Sequence, residues 1–306
     1  MGPSHAVADA ATGPGADSTT GLPHPPWLRG TVRRLFTVKG ARAVAHTIRK
    51  RLPADDAVWV DDFDGDLRFH CHLDEHMANQ VYWRGSYSWS QLRVLDTLLS
   101  PAMTFVDVGA NQGEFSLFAA KRLTSGHVFA FEPMSEMFRR LNRNVEANSF
   151  SNVTTVQKGL WDDVADRVIY MSADAFDDGT RHEGLGTLFP DTKRQAAIET
   201  IHTTTMDAFV GEREVSRVDV IKIDIEGAEL RALQGASETV ARFRPTILVE
   251  ADRGQAEASG IELEALFDHL DATHEISIIT RSGRVRPITR EDLGAHQNLL
   301  CIPRDV

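Results

Sequence analysis

The chain has 306 residues, 42% of them hydrophobic and 25% charged, enough for one large α/β domain with additions or for two small domains. A formal net charge of -11 argues against a nucleic-acid partner, and no apolar run approaches the roughly 18 residues of a membrane span, so neither partner is expected. The opening Met1-Gly2-Pro3-Ser4-His5 lacks a secretory n-region, and Cys71 and Cys301 have no CxxC spacing, so the expectation is a cytoplasmic protein with two buried free thiols.

Residues 1–26 are mostly small and polar and predict a disordered tail that cannot bury enough surface to offset its ordering entropy. Residues 27–100 form an N-terminal extension, expected to act as a cap. Apolar positions such as Val32, Leu35, Phe36 and Ile48 suggest one or two short helices, and the basic run between Arg29 and Arg51 reads as their solvated face. Residues 57–60 and 67–71 read as a β-hairpin around Asp61-Asp62-Phe63-Asp64-Gly65-Asp66. That stretch lacks the spacing and closing Glu of a calcium loop, so a plain turn is expected. Residues 89–99 carry a helix pattern that ends at Ser100-Pro101.

From residue 101 to 306 the rhythm alternates. Strands are expected at 103–108, 127–131, 153–158, 168–171, 201–204, 218–223, 246–250, 275–280 and 298–302. Helices are expected at 113–123, 135–148, 228–243 and 261–270, with a short one capped by Asp207. Uniformly apolar strands alternating with helices predict a Rossmann-like α/β domain, a mostly parallel seven-stranded sheet covered on both faces.

In such sheets ligands bind beyond the carboxyl ends of the strands, where Asp107, Gly109, Ala110, Asn111 and Gly113 fall. A dinucleotide fingerprint would carry a middle glycine where Ala110-Asn111 stands. Asp107 precedes the first glycine, and an anion there would repel a pyrophosphate while suiting the ammonium and sulfonium of S-adenosylmethionine. The methyltransferase reading therefore outranks its rival, a nicotinamide-dependent oxidoreductase. Glu132 ends the second strand at the offset of a ribose-binding carboxylate, followed by Pro133, and Gly159 and Leu160 are placed beside the adenine. Trp161 is as readily a core aromatic as an adenine wall.

A second polar segment, Ile221-Lys222-Ile223-Asp224-Ile225-Glu226-Gly227-Ala228-Glu229, brings Asp224 and Glu226 to the same sheet edge. Glu229 suits the start of the next helix, and Glu250 and Asp252 arrive on the following strand. With Val106-Asp107-Val108-Gly109-Ala110-Asn111-Gln112-Gly113, Phe131-Glu132-Pro133 and Arg244-Pro245-Thr246-Ile247-Leu248-Val249-Glu250, the chain resembles the FkbM family of methyltransferases over roughly residues 82–303. The resemblance implies a class I fold and S-adenosylmethionine-dependent O-methylation, often of natural products or sugars. Glu114 departs from the family's usual apolar or aromatic residue, which bears on packing over the cofactor rather than on the class.

An alcohol is a poor nucleophile near neutral pH, so a base or a metal is expected to assist. The candidate catalytic residues are Asp224, Glu226 and His182, the last in a Gly-rich loop; His202 reads as structural. Asp224 also counts among the cofactor-binding candidates, as does Tyr82 from the aromatic cluster at residues 82–89. A divalent metal such as magnesium on Asp224, Glu250 and Asp252 is chemically open but not favoured, because hydrogen bonding to cofactor and acceptor accounts for the acids without it. The expected partner is a small-molecule acceptor whose selectivity lies in the aromatic cluster and in residues 172–200. A nitrogen or carboxylate acceptor is the alternative, and the sequence leaves the oligomeric state open, a homodimer among the options.

Overall fold

The computed structural model describes residues 24–38, 40–41, 44–45, 47–48, 57–171, 180, 186–189 and 196–305. Helix α1 (Pro26–Thr37) comes first, with His24 buried just before it, so the described structure begins inside the stretch whose composition reads as tail. His24 is buried against the rings of Tyr82 and Trp83. The basic run is not simply a solvated face either. Arg29 and Arg33 both reach Asp62 and the Tyr82 carbonyl, tying α1 to the hairpin β1 (Ala57–Phe63) and β2 (Leu67–His72). The hairpin turn carries clamps: Asp64 holds Arg122 at 2.6 Å and Asp66 holds Lys121 at 2.5 Å.

Helix α2 (His76–Arg84) has no counterpart in the sequence reading. Residues Ala78 through Trp83 are all buried, so the segment lacks the one-sided apolar stripe that marks a surface helix. Its polar members are satisfied locally, Asn79 donating to the Leu73 carbonyl at 2.7 Å. Helix α3 (Trp89–Leu98) then leads to β3 (Thr104–Val108), α4 (Glu114–Arg122), β4 (His127–Phe131), α5 (Ser135–Ala147) and β5 (Val153–Val156).

Strands β6 (Gly159–Leu160), β7 (Asp166–Met171), β8 (Gly186–Thr187) and β9 (Ala196–Thr204) form a separate small sheet, ordered β6-β9-β7-β8. Helix α6 (Met206–Glu212) is capped by Thr205 rather than Asp207. Asp207 instead accepts from the backbone of Glu238 and Thr239, capping α8 (Ser237–Phe243). After β10 (Val220–Ile223), the expected 228–243 helix is two: α7 (Glu229–Gln234) and α8. Gly235 separates them, where any Cβ would meet the Trp161 carbonyl at 1.9 Å. The chain closes with β11 (Thr246–Asp252), α9 (Arg253–Ala258), α10 (Leu263–Asp271), β12 (His274–Ile279), β13 (Val285–Pro287) and β14 (His296–Pro303).

The main sheet has the order β13-β12-β14-β11-β10-β3-β4-β5, one strand more than the seven expected. The run from β5 to β11 is parallel, and β14 inserts antiparallel between β11 and β12. That insertion is the class I methyltransferase arrangement and departs from the 3-2-1-4-5-6 order of a dinucleotide-binding sheet. Alternation along the strands divides the core. Phe105, Val220, Leu248 and Leu300 pack toward the cap, α4 and α5, while Val106, Ile221, Ile247 and Leu299 pack toward α6 to α10.

Candidate active site

The cap-side face of the sheet turns polar near the carboxyl edge because the register aligns unlike residues. Lys222 stands opposite Asp107, Glu250 opposite Asn298, and Asp252 opposite His296. Asp107 is fully buried; one oxygen accepts from the Ser116 hydroxyl at 2.6 Å and the other lies 3.4 Å from the Lys222 ammonium. Lys222 also donates to the carbonyls of Gly109 (2.7 Å) and Val108 (3.3 Å). Burial works against this ammonium, yet Asp107 and then Asp224 hold its pKa above the ordinary value. Asp107 therefore does not line the cavity. It is turned toward Lys222 and the Ser116 hydroxyl, which corrects the expectation that it faces a cationic cofactor.

Above this pair the turn is made from backbone. The amides of Gly109 and Ala110 both donate to the Phe131 carbonyl, at 3.0 and 2.9 Å. Gly109 has φ of 77°, and a Cβ there would stand 2.1 Å from the Asp224 carbonyl oxygen. Asn111 is also left-handed, and its amide donates to Glu132 Oε2 at 2.8 Å while the amide of Met134 donates to Oε1 at 2.9 Å. Burial nevertheless pushes Glu132 up to about 7. Gly113 caps α4 and packs against Leu141, outside the cavity wall.

A cavity of about 540 Å³ runs along this edge, within the range of small-molecule sites. At one end Glu132, Pro133, Gly159 and Leu160 form its wall, with Ile169 and Ile201 from the small sheet. A buried carboxylate with free lone pairs beside an apolar slot fits a ribose diol next to an adenine. At the other end stand Asp224, Glu226, Glu250, Asp252, His296 and Asn298. Glu226 is left-handed, with φ of 57°, and its Oε2 accepts from Gln255 at 3.0 Å. Burial, then the charges of Asp224 and Glu226, lift Glu250 far above the carboxylate range. Glu229 serves the turn, taking the amides of Ile225 (3.0 Å) and Gly227 (3.2 Å), and burial pushes it up to about 7.

Several expected residues lie elsewhere. Tyr82 is wholly buried in the cap, its hydroxyl 3.3 Å from His24, and is not a cofactor contact. Trp161 packs under Arg167, on the core side of its two readings. His202 is exposed on β9 and pairs with Asp166. His182 lies outside the described residues. Among the described residues, the only three ligand-bearing groups that gather within 4.8 Å of one another are His72, Asp74 and Glu75. The carboxylates of Asp224, Glu250 and Asp252, weighed as a magnesium site, are not so assembled.

Sequence reasoning missed Lys222, His296, Asn298 and Gln91 as cavity residues, had Tyr87 only within the aromatic cluster at residues 82–89, and saw Glu114 only as a departure. Glu114 is buried at the start of α4 and accepts the backbone amides of Tyr87 (2.6 Å) and Ser88 (3.1 Å), fastening the cap over the cavity. Burial raises its pKa against those bonds. Alternation on β14 was the available signal for His296 and Asn298, since both share the face of Leu300.

A family model described as the methyltransferase FkbM domain matches residues 107–276, more than half of the chain. The chain is 28% identical over 202 residues to the AMB antimetabolite synthetase AmbE of Pseudomonas aeruginosa, covering 56% of this chain but only 9% of that protein. It is 26% identical over 195 residues to the hexuronic acid methyltransferase AglP of Haloferax volcanii, covering 63% of this chain and 70% of that one. With the 31-O-demethyl-FK506 methyltransferase FkbM of Streptomyces tacrolimicus it shares 28% identity over 163 residues, 46% of this chain and 62% of the relative.

Proposed function

The chain belongs to the FkbM methyltransferase family, and we propose that it uses S-adenosylmethionine to methylate a hydroxyl group of a small molecule, a natural product or a sugar. The observation that carries this reading is the single cavity joining the Gly109–Asn111 turn and Glu132 to the wall of Asp224, Glu226, Glu250 and His296. Glu132 would hold the ribose diol, Gly159, Leu160 and Pro133 the adenine, and the Gly109–Asn111 backbone with Asp224 the amino-acid end. S-adenosylmethionine supplies a methyl group already activated on a sulfonium. The protein's share is to align the acceptor oxygen, keep water out and take up the hydroxyl proton. An acidic wall favours a neutral, hydroxyl-bearing acceptor over a carboxylate, whose charge it would repel at low dielectric. The relative named for 31-O-demethyl-FK506 supports a natural-product hydroxyl, and the one named for a hexuronic acid supports a sugar, whose hydroxyls and carboxylate are both candidate positions.

Calorimetric titration with the demethylated cofactor, S-adenosylhomocysteine, tests the first half. The expected result is one site per chain, and a folded sample that releases no heat overturns the reading. Transfer of a labelled methyl group to a set of methyl glycosides, polyketide alcohols, amines and uronic acids tests the second. A labelled methyl ether supports it, and label found only as an N-methyl group or a methyl ester replaces the acceptor class.

A further inference from the structure

We propose that His296 is the general base of the methyl transfer and Asp252 its positioning residue, an assignment that rests on the O-methylation reading above. His296 opens β14 directly opposite Asp252. Its Nδ1 lies 3.1 Å from Asp252 Oδ2 and 3.7 Å from Glu250 Oε1. An Nδ1–H donated to Asp252 fixes the tautomer and leaves Nε2 as the basic nitrogen. The ring lines the same cavity as Asp224, and its side chain is 56% exposed, so a proton taken there can pass to water.

The acids are poorer candidates. Glu226 already accepts from Gln255, and Asp252 accepts from the Gln255 amide and lies against His296. Burial, then the charges of Asp224 and Glu226, raise the Glu250 pKa well above the carboxylate range. An imidazole, ordinarily near 6.5, is better matched to neutral pH than a carboxylate near 4. The charged and titratable groups around the ring are Asp252 and Glu250 on β11, with Asp224 and Glu226 after β10, Lys222 on β10 and Tyr87 on the cap lining the same cavity. In the step itself the acceptor oxygen bonds to the methyl carbon. The sulfur–carbon bond breaks with its electron pair left on sulfur, and the hydroxyl proton passes to Nε2 of His296.

The test uses the full chain and the alcohol that accepts label in the screen. In the wild type, kcat should rise with pH through one ionisation to a plateau. His296→Asn should lower kcat about 100-fold or more and erase that step, within the range general bases supply, while S-adenosylhomocysteine affinity stays within about threefold. Asp252→Asn should cost about tenfold in kcat with S-adenosylhomocysteine affinity unchanged, and Asp252→Glu should restore most of the rate. EDTA should change nothing. A His296→Asn enzyme within about threefold of wild type, or one that keeps the pH step, overturns the assignment. So does a rate abolished by EDTA and restored by magnesium. His296→Gln supplies a second variant if Asn perturbs folding, and cofactor-product binding reports the fold of each. If S-adenosylhomocysteine binds but no alcohol accepts, NMR of the labelled imidazole in that complex decides. An Nδ1–H tautomer that is lost in Asp252→Ala supports the pair, and an Nε2–H tautomer in the wild type overturns it. A wild type that does not bind S-adenosylhomocysteine overturns the function proposed above, not this pairing.

Discussion

At the Glu132 end of the cavity the cofactor turn is built locally and from backbone: the Gly109–Asn111 turn hangs on the Phe131 carbonyl and on the carboxylate next to it. At the His296 end the walls come from side chains on α3, β10, β11, β14 and their flanking turns, brought together only by sheet register and by the cap. A site of backbone amides tolerates most side-chain changes but not a new Cβ at its tightest turn. A site of side chains keeps its shape and loses its chemistry one residue at a time.

The largest effect should come from breaking the backbone end. Gly109→Ala puts a Cβ 2.1 Å from the Asp224 carbonyl at a φ that L residues rarely adopt. Calorimetry should show S-adenosylhomocysteine affinity reduced by roughly 100-fold or more, about 3 kcal/mol or more, with a lower Tm. Next is the buried pair beneath both ends. Lys222→Met leaves Asp107 charged and enclosed with Ser116 as its remaining donor, and urea unfolding should register a loss of about 3–5 kcal/mol. The double change Asp107→Asn with Lys222→Met should recover part of it.

Smaller effects separate the two ends by pH. Glu132 and Glu229 are raised from 4.5 to about 7, so the folded chain binds protons that the unfolded chain has released. Stability should therefore fall as pH rises from 4.5 to about 7 and then flatten for these two groups, read as Tm against pH. Glu250, raised further, prolongs the fall on the alkaline side. Glu250→Gln should raise Tm at pH 8 without changing S-adenosylhomocysteine affinity, whereas Glu132→Gln should weaken that affinity about tenfold. The smallest effect is His202→Gln on exposed β9, expected within about 0.5 kcal/mol and without consequence for turnover.

The same contrast explains what could be read from the sequence. The cofactor turn is local, so Gly109, Asn111 and Glu132 stand at fixed offsets in one strand-turn-helix-strand unit. Even there, Asp107 led to the right class for the wrong local reason, because its partner Lys222 lies on another strand and only register reveals the pair. The alternating strands predicted the sheet. Helix α2 escaped because it is buried on all sides, and the division of residues 228–243 escaped because it depends on the distant Trp161 carbonyl. His296 lies just before the strand expected at 298–302, and only the antiparallel pairing of β14 with β11 brings it opposite Asp252.

Glu114 has a bearing on how this protein could be re-engineered. Its carboxylate is enclosed and supplied with two donors by the Tyr87–Ser88 backbone, so cap and sheet are matched parts. A chimaera that grafts another family member's cap onto this sheet must either reproduce those two amides or replace Glu114 with an apolar residue at the same time. Otherwise the graft strands a carboxylate beneath the new lid, and the hybrid fails at the joint even if each half is sound.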